Sequence, residues 1–152
     1  MERKNISKRL RYAHTPRVVF GDVVYEAGSS FGPRVQPDYQ LVVLEEGRVR
    51  VDVDGTEMAI NSGEVGLLLP NGKEQFVFTG DRKSRHTWCA VSPAMMGEDL
   101  QAEGHQAPRV LPVSRRLAQL MEMGLSLSAL ATTHSHGLVE ALGMAVLQEY
   151  LF

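Results

Sequence analysis

Residues 39–55 read YQLVVLEEGRVRVDVDG, and this stretch decides the fold of the 152-residue chain. Tyr39 to Leu44 are nearly all apolar, which is typical of a strand buried on both faces. From Arg48 to Val53 valine alternates with arginine or aspartate, so this strand has one buried and one solvated face. Asp54-Gly55 predicts a tight hairpin, because a type I′ turn needs positive φ at both of its central residues.

Similar short patterns continue on both sides of this stretch, separated by turns that contain glycine, proline and asparagine. The positions that mark them are Val18–Phe20, Val23–Tyr25, Met58, Ile60, Val65–Leu69, Phe76, Phe78 and His86–Val91. Residues 27–37 are rich in glycine, proline and serine, which indicates a loop. About eight short strands with closely spaced turns predict a mainly β protein, built as a barrel or a sandwich.

The pattern changes after Pro93. The spacing of the apolar residues between 112 and 121 predicts an amphipathic helix, and a second helix is predicted over Leu138–Phe152. The sequence therefore divides into a basic N-terminal arm (1–17), a barrel (18–93), a polar linker (94–111) and a helical appendage (112–152).

The second predicted helix has few polar residues and is apolar on nearly every side, so it must be covered on both sides. One side can face the barrel, and we expect the other to face a second copy of the chain with two-fold symmetry. The residues predicted at this dimer interface are Leu138, Leu142, Ala145 and Glu149. The alternative is a capping helix whose apolar stripes all meet the barrel.

Charge and cysteine content bound the function class. The formal net charge is −2, but residues 1–20 hold six Lys and Arg against Glu2 alone. Such an arm can touch DNA or an acidic partner, although a solvated terminus is the simpler interpretation. The single cysteine, Cys89, excludes a disulfide within the chain. With no apolar signal region or membrane-spanning run, the sequence predicts a cytoplasmic protein without a membrane partner.

Metal chemistry is not expected. A metal-dependent barrel needs several histidines and a carboxylate on one face, whereas the matching strands offer Tyr39, Gln40 and Gln75. The pair His134-x-His136 lacks a third ligand nearby. Phosphate loops, serine-centred elbows and Cys-x-x-Cys motifs are also missing from the sequence. We therefore predict no metal, no cofactor and no catalytic residues, and a protein that is not an enzyme.

One strand offers a candidate binding surface. His86 and Trp88 share a face because alternate residues of a strand point the same way. A tryptophan plane beside a histidine is suited to a small polar ring, through stacking and a hydrogen bond. The alternative, a core tryptophan with a satisfied histidine, is equally compatible with these residues.

From Tyr39 to Pro93 the chain resembles the cupin-like sensor domain of AraC-type transcription regulators. The resemblance is carried by the apolar strand, the alternating strand, Asp54-Gly55, Gly63-Glu64 and a tryptophan strand that ends at Ser92-Pro93. It implies a cupin-like (jelly-roll) β-barrel followed by two C-terminal α-helices.

The resemblance also implies a ligand site. In the arabinose-responsive founder of the family, the strand that matches His86-Thr87-Trp88 also carries His-x-Trp, and both residues touch the sugar. Arg34 matches an arginine that precedes the first long strand, and Tyr39 and Gln75 complete the predicted ligand-binding set with His86 and Trp88. The sequence departs from the sugar sensor at Val77, where a tyrosine contacts the ligand.

Finally, the resemblance implies partners. The last helix of family members pairs two sensor domains through an antiparallel coiled coil, and two helix-turn-helix units follow the sensor. We therefore expect a small-molecule-sensing and dimerisation domain, with a sugar among the candidate effectors and DNA bound only through a region beyond Phe152. The alternatives are a metal-free cupin enzyme, such as a sugar isomerase or epimerase, and a standalone binding module.

Overall fold

The computed structural model describes residues 7–129 and 135–152. Its strands are β1 (Ser7–His14), β2 (Val18–Tyr25), β3 (Ser30–Val35), β4 (Tyr39–Glu46), β5 (Arg48–Val53), β6 (Thr56–Asn61), β7 (Glu64–Leu68), β8 (Lys73–Thr79), β9 (Ser84–Val91) and β10 (Val110–Pro112). Its α-helices are α1 (Glu98–Gln106), α2 (Arg115–Ser126) and α3 (His136–Leu151). The predicted His134-x-His136 pair lies partly outside the described residues.

The strands form two antiparallel sheets that face each other as a jelly roll. The larger sheet has the order β1-β2-β9-β4-β7-β10, and the smaller has the order β3-β8-β5-β6. The prediction of a mainly β, cupin-like barrel followed by C-terminal helices is confirmed. One apolar core fills the space between the two sheets, and a second lies between the larger sheet and the helices.

The β4 strand shows why the larger sheet is apolar on both faces. Leu41 and Val43 belong to the core under the helices, whereas Val42 and Leu44 belong to the core inside the barrel. Because successive side chains point to opposite faces, a continuous apolar run is what a doubly covered strand requires. This confirms the prediction of burial on both faces.

The predicted hairpin is also confirmed. Asp54 and Gly55 have φ of 51° and 87°, and the flanking strands β5 and β6 pair in register from Val53↔Thr56 outward. Positive φ at both positions is the type I′ geometry, which matches the twist of the two strands. Along β5, Val49 and Val51 are buried while the arginines and Asp52 are exposed.

Three segments are more ordered than their composition suggests. Part of the expected N-terminal arm is the edge strand β1, the expected loop 27–37 contains β3, and the expected linker 94–111 contains α1 and the start of β10. In each strand the order comes from backbone pairing: β1 forms a hairpin with β2, whereas β3 pairs with β8 and β10 pairs with β7, both far away in the chain. Composition does not report backbone pairing, so these segments were misinterpreted.

Ion pairs attach β1 to the rest of the fold. Asp22 on β2 is fully buried and accepts hydrogen bonds from Arg85 and from Arg11 of β1, each at 3.0 Å or less. Burial alone would raise the pKa of Asp22, but these two arginines lower it below its ordinary value. Arg11 also pairs with Glu122 of α2 at 2.5 Å. The basic arm is therefore partly neutralised by acidic partners in its own chain.

The C-terminal helices pack on the outer face of the larger sheet. Gly143 of α3 lies against β2, where an added Cβ would come within 2.5 Å of Val18 Cγ1. Leu142 is only 7% exposed and belongs to the same core, whereas Leu138 is 51% exposed. The close approach at Gly143 therefore brings α3 to its own barrel, and Leu142 is covered by its own chain rather than left for a partner. Among the described residues, no helix is long and apolar enough to cross a membrane.

Candidate functional site

A cavity of about 200 Å³ opens between the two sheets. Five strands contribute side chains to its lining. The lining residues are Tyr25 of β2, Phe31 and Arg34 of β3, Gln40 of β4, Phe76 of β8, and His86 and Trp88 of β9. The cavity therefore combines an aromatic wall with a few polar groups, as small-molecule sites commonly do.

The position of Trp88 depends on a glycine in the neighbouring strand. Gly21 pairs with Trp88 across β2 and β9, and a Cβ added at Gly21 would lie 2.1 Å from the indole ring. Contacts that short do not occur between real atoms, so any larger residue at position 21 would push the ring from its place. The glycine thus lets the indole lie flat over the backbone of β2 and form one side of the cavity.

His86 is surrounded by aromatic rings and is 5% exposed. Its ring centroid lies 5.0 Å from that of Tyr25, 5.6 Å from that of Phe78 and 5.7 Å from that of Trp88. Burial is the main cause that lowers the pKa of His86 to about 4; the charge of Asp22 opposes this shift and the charge of Arg34 adds a smaller contribution to it. His86 is therefore a neutral imidazole at pH 7. Its Nδ1 atom is buried without a hydrogen-bond partner in the described part of the chain.

A polar cluster closes the other side of the cavity. Arg34 donates from Nε to Glu74 Oε1 and from Nη2 to Gln40 Oε1, each at 2.8 Å. The buried amide of Gln36 donates from Nε2 to the same two oxygens, each at 2.9 Å. Arg34 and Glu74 meet because they are paired directly across β3 and β8. The charge of Arg34 is thus balanced within the chain.

Glu74 is only 1% exposed, and its Oε2 atom has no hydrogen-bond partner among the described residues. Burial raises the pKa of Glu74, and the neighbouring Arg34 guanidinium opposes that rise. A buried carboxylate held by one arginine and one amide fixes the guanidinium in a single orientation. Glu74 therefore acts as a support that positions Arg34 beside the cavity.

The structure brings together three of the five predicted ligand residues: His86, Trp88 and Arg34 all line the cavity. Tyr39 and Gln75 do not. The hydroxyl of Tyr39 lies 3.2 Å from His105 Nε2 on the helix side of the larger sheet. Gln75 donates from Nε2 to the carbonyl oxygen of Phe31 at 3.3 Å, on the outer side of the smaller sheet.

In both cases the adjacent residue points inward instead. Gln40 follows Tyr39 and lines the cavity, and Glu74 precedes Gln75 and belongs to its polar cluster. A shift of one residue along a strand reverses the face, so the error is one of phase. The alternation of Glu74, Phe76 and Phe78 was the available signal, because the two phenylalanines must point into the core and Glu74 shares their face.

A larger groove of about 640 Å³ lies beside the β5–β6 turn and α1. It is lined mainly by apolar residues, and it contains none of the predicted ligand residues. Three of its polar residues are already engaged: Asp54 accepts from Lys73 N, Arg109 donates to the carbonyl oxygens of residues 104, 105 and 107 at the end of α1, and His105 contacts Tyr39. The smaller cavity is therefore the stronger candidate, since several polar groups converge on it from facing strands.

Metal binding has no candidate among the described residues. No three His, Cys, Asp or Glu side chains within 7–129 and 135–152 lie close enough together to hold an ion. The thiol of Cys89, which could bind a soft metal ion, is buried in the core under the helices. Burial also raises the pKa of its thiol, which disfavours the reactive thiolate.

Comparisons with known structures agree with the fold. The cupin domain of Cnp3 from Schizosaccharomyces pombe superposes with a TM-score of 0.55 at 13% identity, over 62% of this chain and 71% of that one. A cupin-superfamily protein from Desulfitobacterium hafniense gives 0.52 at 13% identity, over 60% and 83%. An RmlC-like cupin from Methanocaldococcus jannaschii gives 0.53 at 11% identity, over 59% and 83%. At these identities the likeness concerns the fold alone.

The sequence itself gives a more specific result. No match was found among curated proteins. The family model of the AraC-like ligand binding domain, however, matches residues 19–147, which span both the barrel and most of the helical region. The match includes the strands that carry His86, Trp88 and Arg34. The chain belongs to the family of AraC-like ligand binding domains.

Proposed function

We propose that this chain is the small-molecule-sensing and dimerisation module of a transcription regulator, and that its effector binds in the 200 Å³ cavity. The observation that carries the proposal is the convergence of His86, Trp88 and Arg34 on one cavity, in a member of a ligand-binding family. Trp88 and Phe31 offer faces for stacking, and Arg34 and Gln40 offer hydrogen bonds.

The electrostatics of the cavity favour binding over catalysis. A general acid or base works best with a pKa near the operating pH, whereas burial lowers the pKa of His86 to about 4. The carboxylate of Glu74 is held by Arg34 and Gln36 on one oxygen and is not among the cavity-lining residues. We therefore propose a sensor rather than a metal-free cupin enzyme.

Dimerisation is proposed through the outward face of α3. A stripe on this face consists of four positions of α3 and the residue that follows the helix, spaced alternately by three and four residues as in the seam of a coiled coil: Leu138, Ala141, Ala145, Gln148 and Phe152. Leu138 and Phe152 are 51% and 82% exposed, which leaves two large apolar side chains uncovered at opposite ends of the helix. Two copies of the stripe would cover them.

The stripe retains two of the four interface residues expected from the sequence. Leu138 and Ala145 lie on it, whereas Leu142 lies in the core of the same chain. Glu149 is at the edge of the stripe, where it pairs with Arg116 of α2 at 3.4 Å. In a dimer this ion pair would flank the seam. We further propose that the regulator acts in the cytoplasm and contacts DNA through a separate C-terminal region.

A thermal-shift screen of sugars and small acids tests the proposed binding function, because a ligand that binds only the folded state stabilises it. Each hit is then measured against Trp88→Ala and against Tyr39→Phe as a control, since Tyr39 is buried outside the cavity. We expect Trp88→Ala to weaken binding by about 0.5 to 1.5 kcal/mol or more and Tyr39→Phe to leave it unchanged.

Two results would contradict the proposal. Equal affinity for wild type and a folded Trp88→Ala variant would remove the cavity as the binding site. Conversion of a hit into a new compound during incubation, followed by NMR, would favour the enzyme alternative. The regulator context is tested by the parent reading frame, which should encode two helix-turn-helix units after residue 152.

A further inference from the structure

The orientation of the Gln40 amide determines what the cavity offers to a ligand. Gln40 Oε1 accepts hydrogen bonds from Arg34 Nη2 at 2.8 Å and from Gln36 Nε2 at 2.9 Å. A guanidinium can only donate, so the atom of Gln40 that faces Arg34 must be the oxygen. The usual ambiguity between the oxygen and nitrogen of a glutamine amide is therefore resolved by chemistry.

The amide nitrogen of Gln40 must then point away from Arg34 and Gln36. Within residues 7–129 and 135–152, its Nε2 atom has no hydrogen bond, although the residue is buried and lines the cavity. The supporting amide of Gln36 has no free donor, since its Nε2 already donates to two oxygens, and its Oε1 accepts from Asp38 N at 3.2 Å. The cavity thus presents two N–H donors that the chain itself does not use.

Two of the other polar groups of the cavity add only donors. Arg34 and the indole nitrogen of Trp88 can only donate, whereas Tyr25 and His86 can do either. A ligand that covers these donors must supply acceptors for them, because a donor left unpaired in the complex costs free energy. Because Glu74 lies 2.8 Å from Arg34 and balances its charge, the acceptor does not have to be anionic.

The volume and the aromatic lining of the cavity limit the size and shape of the ligand. A cavity of about 150 Å³ holds a benzene ring, so about 200 Å³ holds one six-membered ring with a small substituent. Phe31, Phe76 and Trp88 supply aromatic surface against which such a ring can pack. Resting on the function proposed above, we propose that the effector is a small ring compound bearing a carbonyl or carboxylate oxygen, and that Gln40 Nε2 selects it by donating to that oxygen.

The variant Gln40→Glu tests this assignment because it is nearly isosteric. It keeps an oxygen for Arg34 and Gln36 and replaces the ligand-facing NH₂ with a second oxygen. The probes are benzamide, benzoate and benzylammonium, which place a neutral acceptor, an anionic acceptor or a donor-only cation on the same ring. Affinities are measured by ligand-observed NMR and calorimetry at pH 7. The matched control is Gln75→Glu, the same change on the outer side of β8.

We expect the wild type and Gln75→Glu to bind benzamide, benzoate or both, and to bind benzylammonium at least about tenfold more weakly. Comparison of the two oxygen probes shows whether the acceptor is neutral or charged. Gln40→Glu should bind the oxygen probes at least about tenfold more weakly than wild type, the factor that corresponds to one hydrogen bond of about 1.4 kcal/mol. If Gln40→Glu does not fold, Gln40→Met removes the donors without adding a charge and carries the same expectation.

Three results would overturn the proposal. Benzylammonium could bind as tightly as the oxygen probes, or a folded Gln40 variant could bind them with unchanged affinity. Alternatively, none of the three probes could bind while a sugar or another molecule from the screen binds in the cavity and is lost in Trp88→Ala. In that last case the sensing function stands and only the ligand class is wrong. The sensing function itself fails if no molecule in the screen binds the cavity.

Discussion

The variant Leu142→Ala tests which face of α3 packs against the barrel. Leu142 is 7% exposed and packs in the core between the helices and the larger sheet. Truncating a buried leucine removes its transfer free energy and leaves a cavity, which together cost about 2 to 5 kcal/mol. Against a total stability of about 5 to 15 kcal/mol for a domain, this is a large loss. It corresponds to a fall in Tm of roughly 4 to 20 °C for a chain of this length.

The matched control is Leu138→Ala, the same change about one turn earlier on the same helix. Leu138 is 51% exposed, so its truncation should change the free energy of unfolding of the monomer by about 0.5 kcal/mol or less. Both variants are unfolded with urea while sedimentation confirms that they are monomeric under those conditions. A stable Leu142→Ala together with a strongly destabilised Leu138→Ala would refute the orientation of α3. In that case α3 would be rotated, with Leu142 facing a partner.

Two further predictions concern the dimer and the pH dependence of stability. Leu138→Glu should convert a dimer into a folded monomer, which sedimentation at tens of micromolar would detect. The control variant Gln119→Glu, on the exposed side of α2, should stay dimeric. A monomeric wild type would contradict the proposed interface. The second rests on the pKa of His86, which is about 4 in the folded state against an ordinary 6.5. The unfolded chain binds a proton at His86 more readily than the folded chain does. The contribution of neutral His86 to the free energy of unfolding is therefore fully present above pH 6.5 and falls by about 3 kcal/mol as the pH approaches 4. Urea unfolding between pH 7 and 4.5 measures the loss, and a His86→Phe variant with the same pH slope would show that another group is responsible.

Local sequence patterns were enough to predict most of the strands and turns of the barrel. The continuous apolar run of β4, the alternation of β5 and the Asp54-Gly55 turn each have one dominant physical solution, and the structure adopts it. The pairing of His86 with Trp88 on one face of β9 follows from the same two-residue period. These features depend on neighbours within a few residues, so the sequence reports them directly.

The phase of β4 was not available from the sequence, because its apolar run is buried on both faces, and the phase of β8 was signalled only by Phe76 and Phe78. Tyr39 is aromatic and looked suited to a ligand, but Gln40 faces the cavity because Tyr39 fills the core against the helices. Gln75 looked like a site residue, but Glu74 faces inward because Arg34 pairs with it across β3. A buried carboxylate is tolerated only where an opposite charge meets it, and that partner lies 40 positions away.

The same limit applies to β1 and α3. The basic strand β1 is ordered by backbone pairing with β2 and by the ion pairs of Arg11. On α3, helical periodicity shows which residues share a stripe, but a helix that is apolar on nearly every side gives no sign of which stripe meets its own barrel. The sequence thus determined the elements and their internal periodicity, because these depend on local steric and hydrophobic patterning. The tertiary structure decided which face of each element looks inward, because contacts between residues far apart in the chain select one of two nearly equivalent faces.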